Sequence, residues 1–205
     1  MGETVVRQRV EPTANTSRRT WDDQLAARLP RGAVRAVVRF IRGRSVRSRL
    51  RRALMARSLT RGWAAAQRED WACLQSLYAD DCEVQIESAA GSPIVGSREG
   101  MRGFDAVTEI FDELLEAWGA AEYHVHGLID APDWFVGLIV VKIRGSGSGV
   151  EVTQEQAYVY DMRDGAITRQ RGYFSWRAAL EAAGLTDIAD ELERERKEAA
   201  SPTTR

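Results

Sequence analysis

Residues 123–174 read YHVHGLIDAPDWFVGLIVVKIRGSGSGVEVTQEQAYVYDMRDGAITRQRGYF, and this stretch decides the fold class. Four runs within it, Tyr123 to Ile129, Trp134 to Ile143, Val150 to Asp161 and Ile167 to Phe174, are rich in β-branched and aromatic residues. Only short breakers separate them: Ala131-Pro132-Asp133, the glycine/serine loop Gly145 to Gly149, and Arg163-Asp164-Gly165. Connections this short join antiparallel neighbours, because a parallel crossover needs about a dozen residues or more. The stretch is a four-strand meander.

Upstream, Phe104, Val107, Phe111, Leu114 or Leu115, and Trp118 recur at helical spacing until Gly119, with Ser97 placed to cap that helix. Before it, Cys82 to Glu87 alternates Val84 and Ile86 with Glu83, Gln85 and Glu87, the period of a half-buried strand. Asp70 suits the N-cap of a short helix burying Trp71, Leu74, Leu77 and Tyr78. Val34, Val37, Val38 and Ile41 follow i, i+3, i+4, i+7 spacing with Arg31, Arg35, Arg39 and Arg42 opposite, a basic amphipathic helix. Leu50, Leu54, Trp63 and Ala66 also lie within helical reach, with Gly62 as a weak point. After the meander, Trp176 to Ala183 reads as one or two helical turns stopped by Gly184. This order predicts an α+β fold, a cone-shaped curved antiparallel or mixed sheet wrapped around a long helix, with N-terminal helices preceding it. Residues 1–20 are expected to be disordered, 21–62 to form an Arg-rich helical leader, 63–185 the domain, and 186–205 a charged, frayed tail.

With 205 residues, 44% hydrophobic and 29% charged, the chain suits one main core and a soluble surface. The longest apolar run, Phe135 to Val141, is far short of the roughly 20 residues that cross a bilayer. The first ten residues lack the apolar core of a secretory signal, so the expected location is cytoplasmic. Cys73 and Cys82 form no CxxC and are read as free thiols. The net charge of −1 hides a division: residues 1–62 hold sixteen Arg against Glu3, Glu11, Asp22 and Asp23, a net of +12, which leaves −13 for residues 63–205.

Four stretches, WACLQSLYADDCEV (Trp71 to Val84), GSREGMRGFDA (Gly96 to Ala106), YDMRDGAI (Tyr160 to Ile167) and YFSWRAALEAAGL (Tyr173 to Leu185), resemble the SnoaL-like members of the nuclear transport factor 2-like superfamily in their residues, order and spacing. The resemblance runs from about Arg49 onward and implies a conical pocket, in a family that includes isomerases, cyclases, epoxide hydrolases and proteins with no catalysis. In the ketosteroid isomerase of that superfamily an Asp base and a protonated Asp do the chemistry. Matching Ala79-Asp80-Asp81 to its pattern puts the base position at Ile86, which takes no proton, and the oxyanion position near Tyr158. Relatives often carry Asp where this chain has Ser175, so a further carboxylate is missing. Proton abstraction of the steroid type is disfavoured.

The candidate catalytic groups are therefore weak: Tyr158 as a hydrogen-bond donor and His124 as a general acid or base. His124 and His126 share a strand face, but two ligands do not make a metal site, and neither metal nor cofactor is expected. Candidate pocket residues are Trp63, Tyr78, Ile86, Trp118, Lys142, Gln156, Tyr158 and Tyr173; Gln154, Gln156, Tyr158 and Tyr160 share one face, polar enough to line a cavity. The loop Gly145 to Gly149 has no following helix or phosphate-binding Lys, so it is a hairpin loop.

Two functions follow. The first is a pocket protein for an apolar or polyketide-like small molecule, with catalysis weak, absent or unidentified, or else an isomerase or hydrolase of a small hydrophobic substrate. It requires a cavity of roughly 300 Å³. The second is a non-catalytic module forming a homodimer through the sheet, since Trp134 to Val141 is apolar on both faces. For the Arg-rich leader, sequence-specific nucleic-acid binding is excluded by the absence of any such motif, and contact with a membrane surface ranks below docking on the acidic domain. Docking predicts that deleting residues 1–48 lowers the melting temperature in the absence of lipid, whereas a freely projecting arm predicts no change.

Overall fold

Alternation along the meander places apolar side chains on both faces of one sheet, and each face acquires its own helical cover. In the computed structural model, which describes residues 5–10, 19–87, 98–118, 120–144 and 151–200, the chain runs β1 (Val6–Arg9), α1 (Trp21–Arg28), α2 (Arg31–Arg42), α3 (Arg49–Gln67), α4 (Trp71–Gln75), β2 (Tyr78–Ile86), β3 (Arg98–Arg102) and α5 (Phe104–Trp118). The meander follows as β4 (Ala120–Asp130), β5 (Trp134–Arg144), β6 (Glu151–Arg163) and β7 (Ala166–Tyr173), and α6 (Trp176–Ala182) and α7 (Thr186–Ala200) close the described chain. The strands form one open sheet in the order β1-β4-β5-β6-β7-β2-β3, antiparallel throughout except for the parallel pair β2 and β7. The fold is α+β with a mixed sheet, as expected.

The concave face packs Tyr123, Ile139, Val141, Tyr158 and Tyr160 against Met55, Leu59 and Trp63 of α3 and Val107, Phe111 and Leu114 of α5. Gly172 lies opposite Tyr158 in the β6/β7 register. A Cβ there would stand 2.5 Å from Ile86 Cδ1 and 3.0 Å from Tyr158 Cε1, so only glycine lets both side chains cross the strand. The other face buries Ile129, Val136, Leu138, Ala157, Val159 and Tyr173 beneath Trp176, Ala179 and Leu180 of α6 and Ala189 of α7. The doubly apolar strand that suggested a dimer partner is thus covered by the chain's own C-terminal helices.

Several elements differ from the sequence reading. Within residues 1–20, expected to be disordered, Val6–Arg9 is an edge strand in register with β4, and Arg7 pairs with Glu191 and Glu195 of α7. Within the expected tail, Thr186–Ala200 is a helix, held by those contacts and by Arg177 bonding Asp190 and Glu193 at 2.6 Å each. Tyr78 opens a strand rather than ending a helix. The boundary drawn between residues 62 and 63 falls inside α3, which runs through Gly62 because Met55, Leu59 and Trp63 share one buried face. Ser97 lies outside the described residues, and α5 begins at Phe104 after the short strand β3.

The leader rests on the domain. Val34 and Ile41 of α2 are buried while Val37 is exposed, so the stripe is only partly used. Arg31 Nη1 reaches Asp80 Oδ1 at 2.9 Å, Arg35 Nη2 donates to the Tyr78 carbonyl at 2.8 Å, and Arg39 Nη2 donates to the Asp164 carbonyl at 3.4 Å. Gly165, at φ +78°, permits a close approach: a Cβ there would stand 2.2 Å from the Arg35 carbonyl oxygen. Beneath the C-terminal end of α2, Arg51, only 1% exposed, grips Asp130 through Nε to Oδ2 at 2.7 Å and Nη2 to Oδ1 at 2.9 Å. Its remaining donors go to the carbonyls of Arg42, Arg44 and Ala131. Arg42 adds Nη1 to Asp130 at 3.4 Å and donates to Ala131, Pro132 and Trp134 carbonyls; burial pushes its guanidinium down to about 10, against the opposing pull of Asp130. It stays charged at neutral pH. No helix among the described residues is long and apolar enough to cross a membrane. Replacing Asp130→Ala strands two buried guanidinium groups, and urea unfolding is expected to report a loss of about 3–5 kcal/mol, with more than half of that loss absent in an exposed control such as Asp133→Ala.

Candidate functional site

The sheet's curvature and the two inner helices leave a gap that the side chains do not fill. A cavity of about 110 Å³ lies there, walled by Met55, Leu59, Trp63 and Ala66 of α3, Leu74 of α4, Val107 and Phe111 of α5, and Phe135, Tyr160 and Ile167 of the sheet. Val38 and Ile41 of the leader helix α2 complete the wall. The enclosure is almost wholly apolar, with Ser58, Tyr78, Tyr160 and Gln170 as its polar groups. The Tyr78 hydroxyl donates to Gln170 Oε1 at 2.6 Å, and the Trp63 indole N–H donates to the Tyr160 hydroxyl oxygen. Tyr160 and Gln170 face each other across the β6/β7 ladder, so two adjacent strands present the polar groups at one place.

Burial pushes the Tyr78, Tyr158 and Tyr160 hydroxyls far above the usual phenol range, so each stays protonated and can donate a hydrogen bond but cannot act as a base near neutral pH. Among the described residues that line the cavity there is no carboxylate and no imidazole. The arrangement can hold an apolar body and satisfy one or two polar atoms on it.

Of the residues picked from sequence, Trp63 and Tyr78 line the cavity. Ile86, Gln156 and Tyr158 lie in the same concave core but behind the lining. Tyr158 packs its ring on Trp63 at 4.8 Å and gives its hydroxyl proton to Gln156 Oε1 at 2.9 Å. Neighbouring Tyr123, whose ring is 5.1 Å from Trp63, keeps a buried hydroxyl with no hydrogen-bond partner among the described residues, as does Gln156 Nε2. Lys142 is exposed near the end of β5 and takes no part, because the alternation turns it outward between Val141 and Ile143. Tyr173 faces the other core, with Trp176 and Leu180, one strand face away from the cavity. Trp118 ends α5, and its side chain lies outside the described residues. Sequence reasoning missed Gln170, Phe111 as a lining group, and the α2 residues. The signal for Gln170 was present, since it stands on the strand face opposite Arg169 and Arg171, where a solvated strand would not need a glutamine.

His124 points away from the cavity, its Nε2 3.4 Å from Glu122. His126 packs its ring 5.9 Å from that of Trp176 under α6. Among the described residues no three His, Cys, Asp or Glu side chains group as metal ligands. Both cysteines are free and buried; burial, then the Asp70 carboxylate that the thiol bonds, pushes Cys73 up to about 11.

The family model of the SnoaL-like domain matches residues 59–170. No curated protein matches the sequence. Among solved structures, TerC co-crystallised with polyporic acid is 21% identical, with 58% of this chain and 90% of that chain covered at a TM-score of 0.47. A hypothetical protein of ketosteroid isomerase-like fold from Catenulispora acidiphila, in complex with trimethylamine, is 18% identical over 62% and 92% at 0.46. An epoxide hydrolase-like protein of Mycobacterium tuberculosis is 18% identical over 58% and 80% at 0.42.

Burial, and then the charges of His124, Arg9 and Arg196, hold the His126 imidazole below its usual range. The unfolded chain therefore takes up this proton at a higher pH than the folded protein. The group's contribution is complete above about pH 6.5 and is lost as pH falls from there toward the folded value. The melting temperature is expected to decline between about pH 7 and 5, and to decline less in His126→Gln. Equal declines in both proteins would show that the loss has another source.

Proposed function

The chain belongs to the SnoaL-like domain family, and on that premise we propose that its cone binds a small apolar molecule carrying one hydrogen-bonding group, without acid–base catalysis by the pocket. The carrying observation is the enclosure itself: an apolar wall with its polar groups gathered at Tyr78, Tyr160 and Gln170, and no group in it that exchanges a proton near neutral pH. Its size narrows the ligand. The cavity of about 110 Å³ falls short of the roughly 300 Å³ required for an apolar or polyketide-like ligand of ordinary size, so the ligand proposed is a smaller one. Val38 and Ile41 from the leader and Met55, Leu59 and Trp63 from α3 line the cavity. An engineered apolar cavity of about 150 Å³ takes benzene in another protein, which sets the scale at a single ring or a short branched chain.

A thermal-shift series checks this reading. Ligand binding to the folded state alone raises the melting temperature in proportion to RT ln(1 + [L]/Kd). Millimolar phenol is expected to raise it more than benzene does, because its hydroxyl meets the polar end. Gln170→Leu is expected to lose about 1–3 kcal/mol of stability by leaving the Tyr78 hydroxyl unpartnered, and to erase the preference for phenol. If neither ligand shifts the melting temperature of the native protein, the cavity is a packing defect and the proposal fails.

A further inference from the structure

Six large apolar side chains are strongly exposed among the described residues, and five of them, Trp21, Leu25, Val37, Phe40 and Leu50, fall within residues 21–50 of the Arg-rich leader. On α2 the exposed pair belongs to a second apolar stripe. At about 100° per residue, Val34 and Ile41 share the direction that meets the domain, whereas Ala33, Val37 and Phe40 share another direction about a quarter of a turn away. Val37 is 53% and Phe40 63% exposed, and the Arg44 guanidinium lies over the Phe40 ring at 4.6 Å. α1 has the same composition: Trp21 and Leu25, one turn apart, are 72% and 48% exposed, and Arg28 stands in its last turn.

The arginines divide in the same way. Arg31, Arg35, Arg42 and Arg51 are spent on Asp80 and Asp130. Arg28, Arg44, Arg47 and Arg49 are exposed, and no carboxylate among the described residues pairs with them. A solvent-facing stripe of aliphatic and aromatic groups with Arg44 over Phe40, in a leader that carries further unmatched guanidinium groups, has the complementarity of a bilayer surface carrying anionic headgroups: the apolar groups enter below the headgroups and the cations meet the phosphates. We propose that the outward stripe of α2, with Arg44, Arg47 and Arg49, docks this protein peripherally on an anionic phospholipid membrane. The inner side of the same helix supplies Val38 and Ile41 to the cavity wall. The docking itself does not depend on whether the cavity is occupied.

Vesicle co-sedimentation of the full chain tests the proposal. Vesicles of phosphatidylcholine with phosphatidylglycerol are expected to carry the protein down, phosphatidylcholine alone to leave it in solution, and added salt to release it. Val37→Ser/Phe40→Ser is expected to weaken partitioning by about tenfold or more with an unchanged melting temperature, since both side chains face solvent. The triple variant Arg44→Gln/Arg47→Gln/Arg49→Gln is expected to do the same. Failure to bind the anionic vesicles overturns the proposal, and so does binding that Val37→Ser/Phe40→Ser leaves intact, which marks a contact through charge alone. Tighter binding of duplex DNA than of vesicles assigns the arginines to nucleic acid, and a dimer that Val37→Ser/Phe40→Ser dissociates assigns the stripe to a second copy; either result also overturns it.

Discussion

The guanidinium of Arg51, held by both oxygens of Asp130 in a site with almost no access to water, fixes the relation between the leader and the sheet. A charge buried there without its partner would cost several kcal/mol, so α3 can pack on β4 only where the two groups meet. The same guanidinium bonds the carbonyls of Arg42, the last residue of α2, of Arg44 just beyond it, and of Ala131, which turns β4 into β5. One side chain thereby ties the start of α3 to the end of α2 and to the β4–β5 turn some eighty residues on. Arg42 repeats the device from the other side, donating to the Ala131, Pro132 and Trp134 carbonyls of the β4–β5 turn.

Once α2 and α3 are fixed in that way, the cavity follows from packing. The sheet curves around α3 and α5, and Val38 and Ile41 close the space between them. The leader therefore limits the volume of the pocket, which is about 110 Å³. Burial in the same core pushes the Tyr78 and Tyr160 hydroxyls far above the usual phenol range, so both stay protonated.

Two-sidedness recurs at two scales. The sheet has two apolar faces, and α6 and α7 take the second; α2 has two apolar stripes, and the domain takes the first. In the sheet both faces are satisfied within the chain. In α2 the outer stripe, Val37 and Phe40, is left to solvent with Arg44 over the Phe40 ring.

The sequence by itself determined the elements whose periodicity is local. The four strands of the meander, the helix from Phe104 to Trp118 and the amphipathic leader helix follow from spacing within a dozen residues, and their order fixes the α+β class. The inward face of β6 was also legible, because Gln156, Tyr158 and Tyr160 alternate along one strand. Other features depend on pairs remote in sequence. Val6–Arg9 becomes a strand only because β4 has a free edge, and Thr186–Ala200 is held as a helix by Arg7 and Arg177, which its own spacing cannot reveal. Lys142 and Tyr173 were plausible lining groups until the sheet's curvature decided which of its faces is concave. Gln170 entered the site because Tyr78, ninety-two residues away, reaches its amide oxygen. Local spacing fixes which side chains share a face; only the closed tertiary packing decides what that face meets, because burial and the pairing of buried charges are properties of contacts between distant segments.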